Sequence, residues 1–147
     1  MCKIMEKRIN GFQGQYRFLS NFYPCTIEWQ ELTYRSSEAA YQASKFLDKK
    51  VKEKFTTLNA RKARTLGQSI KKRDDWESEK LNVMYRVLRT KFTKEPMRSM
   101  LLDTGGAYLE ETNYWYDKFW GVYNGEGLNH LGRLLMVVRD ELVEGIV

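Results

Sequence analysis

Apolar residues recur at helical spacing between Asp75 and Phe92, where Leu81, Met84 or Tyr85, Leu88 and Phe92 form one stripe. This is the pattern of a long helix that buries a single face. Asp74, with Glu77 three residues on, resembles a capping arrangement at its start. The pattern changes upstream. Thr26-Ile27-Glu28-Trp29 and Leu32-Thr33-Tyr34-Arg35 are rich in β-branched and aromatic residues, which predicts two short strands around Gln30 and Glu31, although these two are not the Asn-Gly pair that hairpins favour. Ser36 or Ser37 supplies a capping hydroxyl for the next helix, and two further helices are predicted near Lys50 to Leu58 and from Ala60 to Lys71. Pro96 suits the first turn of a short helix that stops at Gly105-Gly106. A strand or loop region from Ala107 to Leu128 holds three consecutive aromatics, Tyr114 to Tyr116, and the last helix starts at Asn129 and ends near Gly145. The expectation is an α+β fold: one mainly helical domain over residues 1–147 with a small N-terminal antiparallel β region.

Composition supports a packed domain. At 147 residues, with 42% hydrophobic and 14% aromatic content, the chain can bury a real core and is not of disordered composition. No apolar run reaches membrane-spanning length, and the start MCKIMEKR lacks the apolar core of a secretory signal. Cys2 and Cys25 form neither a metal spacing nor a disulfide framework, and Cys2 is expected to lie in a fraying terminus. These features predict a soluble, cytoplasmic protein without membrane partners. The net charge of +6 is unevenly spread: Lys45 to Lys94 holds 16 Lys or Arg against 6 Asp or Glu, a local +10. Such a block favours phosphates or nucleic acid, although many of these charges will only solvate helix faces. It lacks the interleaved aromatics of a platform on which single-stranded bases stack.

The candidate chemistry lies in SSEAAYQASKF, Ser36 to Phe46. On a helix, Glu38, Gln42 and Lys45 fall on one stripe and Ala39, Ala43 and Phe46 on another, so one side would pack while the other presents an acid and an amine. A first-turn Glu that complements the helix dipole, paired with a solvating Lys, gives the same pattern. His130 is the sole histidine, which leaves no usual zinc set or serine triad. It is expected to pack or solvate, and no metal or cofactor is expected. The glycines of GVYNGEGLN, with Asn124 and Asn129, make a turn before the last helix, whose N-terminal amides could meet a phosphate. That turn is neither a Walker loop nor a dinucleotide fingerprint, and Asn124-Gly125-Glu126 is more acidic than a phosphate loop favours. Arg64 or Lys80 would contribute charge. Trp76 and Trp120 are the indoles that could stack on a planar base, or simply fill the core.

Several segments, in order along nearly the whole chain, resemble the NADAR family: FLSNFYP at Phe18 to Pro24, SSEAAYQASKF, ARTLGQ at Ala63 to Gln68, and Trp76 with Lys80. LLDTGGAYLEE at Leu101 to Glu111, DKFWG at Asp117 to Gly121 and the final GLNHLGRLLMVVR continue the series. The resemblance implies cleavage of an N-glycosidic bond. Its substrates would be phosphorylated ribosylamines of early riboflavin synthesis, or ADP-ribosylated guanine in nucleic acid, both of which carry ribose on an exocyclic amine. Carried onto this sequence, it implies Glu38 and Lys45 as catalytic residues. Asn21, Arg64, Trp76, Lys80, Asp117, Trp120, Gly121 and Asn129 would bind substrate. Lys45 could attack as a neutral amine to form a Schiff base while Glu38 moves the proton. Alternatively, Lys45 stays a charged ligand and Glu38 activates water. Rival readings are an ADP-ribose or NAD-binding module without turnover, and a basic nucleic-acid-binding protein.

Overall fold

The computed structural model of the chain describes residues 7–147; Cys2 lies outside them. Among the described residues six α-helices, a 3-10 helix at Gly14–Leu19 and three two-stranded pairings surround one buried cluster that runs from Ile9 to Leu142. The fold is α+β and mainly helical. β2 (Ile27–Trp29) and β3 (Leu32–Tyr34) form the expected antiparallel hairpin, with Ile27 opposite Tyr34. Its turn uses Gln30 and Glu31 at φ 50 and 70, so non-glycine residues adopt the left-handed geometry that a tight hairpin demands. Two parallel pairings were not foreseen. β1 (Arg8–Asn10) runs beside β4 (Tyr108–Glu110), and β5 (Thr112–Asn113) beside β6 (Val122–Tyr123). Strands this short carry too little alternation to be read from pattern.

α1 (Ser37–Ala43) sits at the centre, with Ser36 Oγ accepting from Ala39 N at 3.0 Å as its N-cap. All seven of its residues are buried, so it does not present one face to solvent as the stripe pattern implied. It also stops two residues before Lys45. α2 (Lys49–Glu53) is shorter than predicted, and α3 (Ala60–Ser69) opens on an Asn59 cap to Lys62 N at 2.9 Å. α3 approaches α1 closely because Gly67 offers no side chain toward Gln42.

α4 (Trp76–Phe92) buries Trp76, Val83, Met84, Val87, Leu88, Lys91 and Phe92, whereas Leu81 is 38% exposed. Met84, Leu88 and Phe92 are in the core as expected, while Val83 and Val87 take the places of Leu81 and Tyr85, so the core stripe is rotated by about a quarter of a turn. Asp74 and Glu77 do not form the expected cap. Asp75 occupies the N-cap position with its carboxylate on Arg73 at 2.6 and 2.8 Å, and Glu77 pairs with Lys72 and Lys80. α5 (Met97–Leu102) begins after Pro96, which is its cap and not its first turn. α6 (His130–Glu144) closes the core and ends on Gly145, whose φ of 73 suits the left-handed cap that glycine accepts without cost.

Among the described residues no helix is long and apolar enough to cross a membrane, and no group of His, Cys, Asp and Glu could hold a metal. Among the described residues five cations of the basic block form ion pairs: Lys49 with Glu31, Lys72 and Lys80 with Glu77, Arg73 with Asp75, and Lys94 with Glu28.

Candidate active site

A cavity of about 490 Å³ lies beside α1. Three separate stretches wall it. The first contributes Phe12, Gln13, Asn21 and Phe22; the second Glu38, Tyr41, Gln42, Lys45, Arg64 and Gln68; the third Glu111, Thr112, Trp115, Asp117 and Trp120. Met84 and Leu131, both buried, close its floor.

Glu38 projects from the first turn of α1. The start of that helix is clasped by Asn21, whose backbone carbonyl accepts from Glu38 N at 3.1 Å and whose Oδ1 accepts from Ser37 Oγ at 2.8 Å. Gln42, one turn on, donates from Nε2 to Glu38 Oε1 at 2.8 Å. Burial raises the Glu38 pKa above the usual carboxylate range, against the opposing pull of Gln42, Arg64 and Lys45. Lys45 lies in the turn after α1, its amide on Gln42 O at 3.1 Å and its carbonyl accepting from Arg73 N at 2.8 Å. Burial lowers its pKa, helped by the positive charges of Lys72 and Arg64 and opposed by Glu38. The same desolvation therefore drives the acid toward its neutral form and the amine toward its free base. An amine in that state can attack a carbon, and a neighbouring carboxyl can carry its proton.

Arg64 and Lys45 are the cations of the cavity wall, and neither forms an ion pair among the described residues. Both are thus available to an anionic substrate. The amides at the start of α6 are not. Those of Leu128, Asn129, His130 and Leu131 donate to the carbonyls of Lys118, Gly121, Phe119 and Trp120, so most of the amides expected to meet a phosphate already have partners. Asn124 and Gly125 instead form a tight surface turn, closed by bonds of 2.8 and 3.0 Å between Tyr123 and Glu126.

The other predicted residues divide clearly. Asp117 faces the cavity and accepts from Phe119 N at 3.1 Å and Trp120 N at 2.9 Å, which holds the Trp120 indole in the wall. Trp120 meets Tyr41 edge-on at 5.6 Å. Trp76 is 2% exposed and outside the lining, tilted at 57° against Tyr41 with ring centroids 5.1 Å apart. Lys80 is also outside; it is held by Glu77 at 2.6 Å and lies 4.1 Å over the Phe119 ring. His130 packs on Phe119 at 4.6 Å, as its expected structural role requires. Gly121 and Asn129 lie behind the wall. Asn129 Oδ1 accepts from Glu111 N at 3.0 Å and its Nδ2 donates to Leu109 O at 2.9 Å.

Sequence reasoning missed four residues. Glu111, half-buried in the wall, has its pKa pushed up to about 7 by burial and by the nearby Asp117 charge. Its one signal was its place at the end of LLDTGGAYLEE. Tyr41 stays protonated, its pKa raised by burial and by the charge of Glu38. Trp115, in the middle of the Tyr114 to Tyr116 aromatics, lines the cavity at 45% exposure. Lys91 is wholly buried and donates to Phe18 O at 2.8 Å and Ser20 O at 3.0 Å, which anchors the segment carrying Asn21. Burial lowers its pKa to about 8.

Known proteins resemble this chain in sequence and fold. An NMR structure of Escherichia coli YbiA superposes with a TM-score of 0.84 at 36% identity, covering 97% of this chain and 89% of that one. The N-glycosidase YbiA of E. coli K12 is 37% identical over 149 positions, 95% of this chain and 91% of its own length. A riboflavin biosynthesis protein of Vibrio vulnificus is 39% identical across 96% of this chain, and maize riboflavin biosynthesis protein PYRR is 38% identical across 84%. The chain spans only 40% and 23% of the lengths of those two relatives. The NADAR domain family model matches residues 10–143, nearly all of the described fold and every wall of the cavity, and the chain therefore belongs to the NADAR family.

Proposed function

We propose that the protein is an N-glycosidase that hydrolyses the C1–N bond between a phosphorylated ribosyl group and the exocyclic amine of a base. The observation that carries this reading is the pairing of Glu38 with Lys45 in one cavity, where burial makes the first a proton carrier and the second a nucleophile. In the preferred route Lys45 adds to C1, the base departs as its amine, and water releases the sugar from the Lys45 imine. Arg64 would balance the phosphate charge and Trp120 would meet the flat base, with Asp117 and Asn21 holding the walls in place. The relatives named N-glycosidase and riboflavin biosynthesis protein support ribosylaminopyrimidine phosphates as substrates. ADP-ribose on guanine in nucleic acid presents the same linkage and enters the proposal on that ground. The reading treats the chain as one catalytic unit acting in the cytoplasm.

The test is a mass-spectrometric turnover assay that offers both substrates to wild type and to Glu38→Gln. Release of free base and sugar phosphate by wild type, reduced about 10²–10⁴-fold in the variant, is the expected result. Bound but intact ligand would instead make the protein an ADP-ribose-binding module. At least half of wild-type turnover in Glu38→Gln would remove Glu38 from the mechanism.

A further inference from the structure

Opening a ribosylamine to an imine requires two proton movements: one onto the ring oxygen as C1–O4′ breaks, and one onto the departing nitrogen. Glu38 accounts for the second. We infer that Glu111, on the wall contributed by the C-terminal third of the chain, is a further catalytic residue that delivers the first proton. This inference rests on the glycosidase reading above.

The carboxyl of Glu111 lines the cavity yet takes no hydrogen bond from any described residue, while its backbone is held on every side. Asn129 Oδ1 accepts its N–H at 3.0 Å, and its carbonyl accepts from Val122 N at 2.8 Å. Gly121 makes the close approach possible, because a Cβ there would lie 2.9 Å from Glu111 Cγ and would also overlap Glu111 O. Gly121 and Asn129, both outside the cavity, thus converge on fixing one side chain inside it. The backbone fixes where the side chain starts, and its carboxyl remains free to meet a ligand. Five other titratable or charged groups face the same space: Glu38 and Tyr41 on α1, Lys45 after it, Arg64 on α3, and Asp117 on the neighbouring loop. Asp117 is occupied by the amides of Phe119 and Trp120 and Glu38 by Gln42, which leaves Glu111 as the carboxyl without an internal partner. Near neutral pH part of it carries a proton, since its pKa is about 7.

The proton account closes. Glu111 protonates O4′ as C1–O4′ breaks and the nitrogen lone pair forms C1=N. Neutral Lys45 adds to C1, Glu38 transfers the resulting ammonium proton to the departing nitrogen, and C1–N breaks to leave the Lys45 imine. Water adds to that imine and the C1–Lys45 bond breaks, which frees the sugar aldehyde. The proton released in this hydrolysis returns to Glu111.

Glu111→Gln keeps every backbone bond that Glu111 makes, so a merely structural role predicts an unchanged enzyme. The experiment measures kcat and KM from pH 5 to 9 on a ribosylaminopyrimidine phosphate, with thermal melts to verify folding. We expect kcat to fall about 10²–10⁴-fold in Glu111→Gln, KM to change little, and the alkaline limb near pH 7 to disappear. Partial recovery in Glu111→Asp would add support. Activity within threefold of wild type, with the limb intact, would overturn this assignment while leaving the glycosidase reading in place. Failure of wild type to turn over would overturn both.

Discussion

Replacing Gly67 by Ala sets two well-measured effects against each other. Gly67 lies inside α3, where alanine normally favours a helix by about 0.5–1 kcal/mol over glycine. Here the added Cβ would sit 2.9 Å from Gln42 Cδ and 3.1 Å from Gln42 Cβ, and would overlap Gln42 Oε1. The Gln42 stem is fixed in buried α1, so only its amide can yield, and that amide donates the 2.8 Å bond to Glu38. Leaving that buried donor and acceptor unpaired costs about 1–3 kcal/mol. The balance is a net loss of about 1–2 kcal/mol. Catalysis should feel the change as well. The Gln42 bond favours ionised Glu38, so its loss moves the already raised pKa further up, and the limb of the pH–rate profile that belongs to Glu38 should shift to higher pH. Urea unfolding and the profile of kcat/KM test both parts, and a double-mutant cycle with Gln42→Ala isolates the contact. A Gly67→Ala protein about 1 kcal/mol more stable than wild type, with an unshifted profile, would refute the reasoning.

Borohydride added during turnover should trap a sugar adduct on Lys45, and Lys45→Arg should be inactive because guanidinium stays protonated; no adduct, with substantial activity in Lys45→Arg, would leave water activation by Glu38. Trp76→Ala should lower stability by about 3–5 kcal/mol, as for other buried aromatics, whereas Trp120→Ala should mainly weaken ligand binding in calorimetry; the reverse assignment would place the Trp76 ring against the ligand. The neutral form of Glu111 is favoured by folding, so its stabilising contribution is full below the ordinary carboxylate pKa and is lost as pH rises through about 7. Melting temperatures measured from pH 5 to 8.5 should therefore show Glu111→Gln gaining on wild type as pH rises, and a constant difference would place the Glu111 titration elsewhere.

Elements marked by periodicity or by capping chemistry were legible in the sequence. The hairpin, α6 and the Ser36 cap fall close to where β-branched and aromatic residues, Gly145 and a serine placed them, and α3 covers most of the predicted Ala60 to Lys71, although its Asn59 cap was not read. Glu38 and Lys45 were found as a pair, but for a reason that only partly holds: the helix ends at Ala43, and a turn brings Lys45 back to the same cavity. Trp76 lies behind Tyr41 and Trp120 lines the cavity beside it, because residue type does not reveal which side of Tyr41 an indole occupies. Glu111 was hidden more deeply. Its environment comes from Asn129, Gly121 and Asp117 folding around it, which is tertiary information with no local signature.

The cavity draws its walls from the first, middle and last parts of the described chain, and β1 from one end pairs in parallel with β4 near the other. Contacts between distant segments form late and slowly in folding. A nascent chain that has already made Glu38 and Lys45 therefore holds a potential nucleophile with no chamber around it, exposed to water that keeps the amine charged. On the proposed mechanism, reactivity switches on only when the C-terminal third docks. Turnover is then a direct report of completed folding, and a clipped or partly unfolded molecule should be silent, not a weaker or less selective enzyme.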